Sequence, residues 1–83
     1  MSYDKVTKAD NGIIIGTKQS IKAIKDDRVS EVIIAADADV RVTSKIYDLA
    51  KEKDVPVTTV DSMKKLGKVC GIDVGAAAVA LIK

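Results

Sequence analysis

Val74-Gly75-Ala76-Ala77-Ala78-Val79-Ala80-Leu81-Ile82 is the longest apolar run in the chain, and its reading decides the fold. Its alanines give it high helix propensity, yet it offers no polar face for a surface helix to turn outward. The run is also far shorter than the roughly 20 residues that cross a bilayer as a helix. Read as a central strand it is covered on both sides, with small alanines letting helices pack close to both faces of a sheet. Three further apolar segments suit the same sheet: Gly12 to Ile15, Glu31 to Ala36 and Val55 to Val60, all short and rich in Ile, Val or Thr.

Between them the spacing turns helical. Thr17, Ser20, Ile21 and Ile24 share one face of a helix over Gly16 to Asp27. Ile46, Leu49 and Ala50 point inward from a helix over Thr43 to Lys53, with Thr43 or Ser44 to cap it. Met63, Leu66, Val69 and Cys70 do the same over Ser62 to Gly71, where Ser62 caps the start and Gly71 supplies a left-handed stop. Strand, helix, strand, helix, strand, helix, strand predicts an α/β fold with helices on both faces of a small sheet.

The chain has 83 residues, enough for a single domain, and nothing in it resembles a linker or repeat, so residues 1–83 are expected to form one unit. It is 47% hydrophobic and 31% charged, a globular rather than disordered balance. It has no histidine and one cysteine, Cys70. Disulfides, zinc fingers and histidine-based catalysis are therefore excluded by counting, and an enzyme is not expected. Cys70 reads as a core residue. Asp26, Asp27, Asp37 and Asp39 fit no calcium-loop spacing, so neither a metal nor a cofactor is expected. The start, Met1-Ser2-Tyr3-Asp4-Lys5, has no apolar signal core, which predicts a cytoplasmic protein with no membrane partner.

Charge is distributed unevenly. Residues 1–30 carry six basic and four acidic side chains, residues 31–61 four and seven, and residues 62–83 four and one. Three places stand out. At Gly16-Thr17-Lys18-Gln19 a helix opening leaves backbone N–H groups and partial positive charge for an anion, and Lys18, Lys22 and Lys25 form a stripe beside it. Lys64, Lys65 and Lys68 crowd the start of another helix, where they oppose its dipole. Gly71-Ile72-Asp73-Val74-Gly75 is a turn with two aliphatic side chains at its tip, which either fold into the core or meet a partner. For the lysines the alternative is a solvated face. Phosphate-loop and dinucleotide fingerprints are missing. Neither aromatic residue, Tyr3 or Tyr47, lies near the lysines, so a base-stacking platform is not expected.

Gly16-Thr17-Lys18-Gln19-Ser20-Ile21-Lys22, Val32-Ile33-Ile34-Ala35-Ala36-Asp37-Ala38-Asp39, and Ser62 through Val74 with Leu66-Gly67 and Cys70-Gly71-Ile72 together resemble the ribosomal L7Ae family of kink-turn-binding proteins. The resemblance runs from about Tyr3 to Ile82. It implies a three-layer α-β-α sandwich with a four-stranded mixed sheet and a non-enzymatic function. The implied partner is structured RNA rather than DNA: the kink-turn, a bent duplex whose bulge is flanked by tandem sheared G·A pairs, in ribosomal or regulatory RNA. Ribosome association is part of the same implication. By that resemblance Gly16, Thr17, Lys18, Gln19 and Lys22 face the sheared pairs, and Ile72, Asp73 and Val74 pack on the bulge. Lys64 is the nearest substitute for a basic residue that in the family often follows the serine and is Met63 here. Lys18-Gln19 stands where archaeal members commonly carry Asn-Glu, so a carboxylate facing guanine edges is replaced by an ammonium and an amide. A protein-interaction module using Ile72 and Val74 is the alternative from another class.

Overall fold

The structure, a computed structural model, describes Val6 and residues 12–83. Over residues 12–83, four strands and three helices alternate: β1 (Ile13–Ile15), α1 (Thr17–Lys25), β2 (Val29–Ala35), α2 (Val40–Glu52), β3 (Val57–Val60), α3 (Met63–Val69) and β4 (Ala78–Ile82). The strands form one mixed sheet in the order β1-β4-β2-β3. β4 runs antiparallel to both neighbours, while β2 and β3 are parallel.

The alanine-rich run is a central strand, as its lack of a polar face predicts. It is β4, hydrogen-bonded on both sides, and its residues divide between two cores. Ala78 and Ala80 join Val32 and Ile34 of β2 beneath Ala23 and Ile24 of α1 and Ile46 and Ala50 of α2. Val79 and Leu81 join Ile33 and Ala35 on the opposite face, with Val60, Leu66 of α3, and Val6. The period of two along both central strands thus builds the three layers. The alanines of β4 line only one face, the one under α1 and α2. On the other face Val79 and Leu81 supply larger side chains beneath α3.

Several boundaries differ from the sequence reading, among them the start of β3, at Val57 rather than Val55. Residues 74–77 belong to a loop, so the last strand starts at Ala78 rather than Val74. β2 begins at Val29, ahead of the expected Glu31. α2 begins at Val40, three residues before Thr43, and its cap is Asp39, whose carboxylate accepts the Arg41 N–H at 2.9 Å. Thr43 sits inside the first turn, buried, with its hydroxyl donating to the Asp39 carbonyl at 3.4 Å. The β-branched Val40 and Val42 disguise this start, because their intrinsic preference opposes a helix that the Asp39 cap nevertheless initiates. Ser62 caps α3 as expected, accepting the Lys65 N–H at 3.2 Å. Gly71 follows the Cys70 cap with φ 82°.

Candidate nucleic-acid interface

Strand direction gathers four connections at one end of the sheet. β1 and β2 finish there, β3 finishes beside β2, and β4 begins there, with Ile15 opposite Val79, Ile34 opposite Ala78 and Ala35 opposite Val60. Backbone bonds tie these ends together. The Gly16 N–H donates to the Ala78 carbonyl at 3.1 Å, and the Ala35 N–H donates to the Ala77 carbonyl at 3.0 Å. The tip of α1 and the loop leading into β4 therefore share one end of the molecule. Val74 is four residues from Ala78, at most about 14 Å of extended chain.

Gly16 is the N-cap of α1, with φ 108° and ψ 154°, a conformation that side chains with a β-carbon strongly resist. No side chain caps the helix, and its first turn holds no acidic residue. The first intrahelical bond comes from the Ser20 N–H to the Gly16 carbonyl at 3.0 Å, so Thr17, Lys18 and Gln19 head the helix ahead of it. A β-carbon on Gly16 would meet nothing within 4 Å, so the space in front of the tip is open. Lys18, Gln19, Lys22 and Lys25 are exposed. Among the described residues no carboxylate lies within ion-pair distance of these three lysines.

The aliphatic turn divides its two side chains. Ile72 is half-buried and packs on the core under α3, whereas Val74 is 70% exposed and Asp73 is exposed. The turn therefore folds back through Ile72 and offers Val74 outward. It is docked on α3: the Ile72 N–H donates to the Gly67 carbonyl at 3.1 Å, and the Ala76 N–H donates to the Met63 carbonyl at 3.0 Å. Gly67 makes this approach possible, because a β-carbon there would collide with the Val74 carbonyl oxygen. Lys64 is exposed in the first turn of α3, on the sheet face opposite α1. The candidate residues thus come from both helical layers around the same sheet end.

Asp37, Asp39 and Gly67 take parts that the sequence reading did not assign. The Asp37 Oδ1 accepts the Met63 N–H at 2.8 Å. Asp39, besides capping α2, pairs with Arg41 at 2.9 Å, and that guanidinium, followed by the Arg41 N–H, holds its carboxyl below the usual range. Arg41 is thereby partnered, although it stands at the same end of the sheet as Lys18. A signal existed for Gly67, since an isolated glycine inside a helical pattern implies close packing. Asp26 and Asp27 lie beyond the other end of α1, so the four aspartates do not form one cluster; among the described residues no group of metal-ligating side chains assembles. Cys70 is half-buried, and burial pushes its thiol up. No helix among the described residues is long and apolar enough to cross a membrane.

The family model described as "Ribosomal protein L7Ae/L30e/S12e/Gadd45 family" matches residues 1–83. The chain is 60% identical over 82 residues to an "RNA-binding protein" of Bacillus pumilus, covering 99% of each chain. It is 57% identical over 83 residues, the full length of both, to "RNA-binding protein YbxF" of Geobacillus stearothermophilus. Its fold is similar to that of the solved Giardia lamblia 15.5kD RNA binding protein, with a TM-score of 0.87 and 25% identity over 99% of this chain and 69% of that one.

Proposed function

This RNA-binding chain belongs to the ribosomal protein L7Ae/L30e/S12e/Gadd45 family, and we propose that it recognises and stabilises kink-turns in ribosomal or regulatory RNA, without catalysis. The observation that carries the reading is the shared sheet end: an uncapped helix tip with unpaired lysines stands beside an exposed aliphatic turn, linked through Gly16 and Ala78. Charge alone would suit any phosphate backbone. The combination suits a bent one. A-form RNA hides its base edges in a deep, narrow major groove, and a kink opens that groove. Lys18 and Gln19 then present an ammonium and an amide to the sheared G·A pairs, with the open space in front of Gly16 admitting the base edges. Val74 covers the bulge. Lys22, Lys25 and Lys64 neutralise phosphates and set the register. Because the surface matches the bent conformer, binding shifts the RNA population toward it.

The test compares a kink-turn duplex with the same duplex carrying Watson–Crick pairs in place of the sheared G·A pairs, by mobility shift at fixed salt. The kink-turn is expected to bind more tightly, and Lys18→Ala or Gln19→Ala to reduce that preference. Equal affinity of the wild-type protein for both duplexes would refute the proposal.

A further inference from the structure

We propose that Asp37 is a positioning residue for RNA recognition: its carboxylate fixes the first turn of α3 and, through that turn, the aliphatic loop before β4. The inference rests on the reading of the sheet end as the RNA-facing surface. Asp37 lies two residues past the end of β2, and its Oδ1 accepts the Met63 N–H at 2.8 Å. That N–H is the first of α3 and has no carbonyl ahead of it in its own helix. The Met63 carbonyl in turn accepts the Ala76 N–H at 3.0 Å. Gly75 packs against the same residue so closely that a β-carbon on it would meet the Met63 Cβ at 3.1 Å. Further along the helix the Gly67 carbonyl holds the Ile72 N–H at 3.1 Å. The loop is therefore fastened to α3 at both of its ends, and Asp37 fastens α3 to β2.

The sign of the charge makes the role testable. Asp37 is exposed at the end of the sheet where Lys18 and Lys64 also stand. A carboxylate there repels a phosphate backbone. By its charge Asp37 weakens RNA binding, and it strengthens binding only through what it holds in place. Within the protein the same charge suits the N-terminus of α3, where Lys64 and Lys65 oppose the helix dipole. Asp37→Asn keeps an oxygen to accept the Met63 N–H and drops the charge. Asp37→Ala drops both.

The experiment uses the full chain and has two arms. Amide hydrogen exchange at Met63 and Ala76 is followed in the RNA-free protein, and affinity is measured for the kink-turn duplex and its Watson–Crick control. Asp37→Ala is expected to speed exchange at both amides and to weaken kink-turn binding about three- to tenfold, the scale of one typical net hydrogen bond. Its binding to the control should be unchanged or tighter. Asp37→Asn is expected to match or exceed the wild-type affinity. Kink-turn binding by Asp37→Ala as tight as that by Asp37→Asn overturns the proposal, as does weaker binding by Asp37→Asn than by the wild type. If the wild-type protein does not distinguish the two duplexes, the kink-turn reading fails by itself. The exchange arm still decides the positioning link, which unchanged protection of Met63 and Ala76 in Asp37→Ala would refute.

Discussion

Gly67→Ala sets two opposing effects against each other. In the middle of an exposed helix the change would stabilise by about 0.8–1 kcal/mol, because alanine loses less backbone freedom than glycine. Here the new methyl group falls on the Val74 carbonyl oxygen, and lies 3.1 Å from the Val74 carbonyl carbon and 3.2 Å from the Gly75 Cα. All three are backbone atoms, so no side-chain rotation relieves the overlap. Overpacking of this kind costs about 1–3 kcal/mol, which leaves a net loss of roughly 0–2 kcal/mol. At this chain length each kcal/mol corresponds to about 4–8 °C in Tm. The strain is relieved most easily by lifting Ile72 to Gly75 off α3, since the first strand residue beyond them is Ala78. Kink-turn affinity should therefore fall at temperatures where the variant is still fully folded, while binding to the Watson–Crick control persists. Calorimetry and mobility shift on the same preparation give both numbers, and amide shifts at Ile72 through Gly75 report the displaced loop. A variant that melts higher than the wild type and keeps its kink-turn preference would show that the loop does not press on α3, and the docking argument would fall.

Gly16→Ala meets open space, so its effect is conformational: holding alanine at φ 108° costs about 1–3 kcal/mol, read as a lowered denaturant midpoint. Lys25→Ala, at the far end of α1, should weaken both duplexes alike and flatten the salt dependence by about 0.9 in the slope of log affinity against log salt, checked by titration at several salt concentrations. Burial raises the Cys70 pKa, so the folded protein holds that proton more tightly than the unfolded chain. The resulting stabilisation is full below the ordinary thiol pKa and is lost as pH rises through the folded value. The urea midpoint should fall over that alkaline range, and fall less in Cys70→Ala. Asp39 works at the other limit: with its carboxyl lowered by Arg41, it stabilises above the ordinary carboxylate range and ceases to do so as pH falls through its folded value. An acid titration of Asp39→Asn should lack that component.

The order of elements was readable because short continuous apolar runs give way to helical steps of three and four at each junction, and because β4 has no polar face to expose. The lysines and the α1 tip were equally plain, since charge and glycine are visible one residue at a time. What could not be read depends on contacts between segments distant in sequence. Val74 to Ala77 carry the same apolar character as β4, yet Ala76 bonds to Met63 of α3 instead of extending the strand. The start of α2 was hidden by two valines whose local preference is overruled by the Asp39 cap. Asp37 looked like one acid among several until folding brought Met63 to it, 26 positions away. Ile72 and Val74, alike in the sequence, part company in the fold: Ile72 packs on the core under α3, and Val74 points outward.

The strand order also governs how the molecule comes into being. β1 touches the rest of the sheet through β4, which follows the other described strands in the chain, and Ile13 must wait for Leu81. A nascent chain can form its helices locally, but pairings between segments this far apart in sequence are slow to close. The gathered sheet end at Gly16 and Ala78 thus forms only after β4 has been made, so a chain stopped before β4 would lack the surface on which the proposed RNA contact depends.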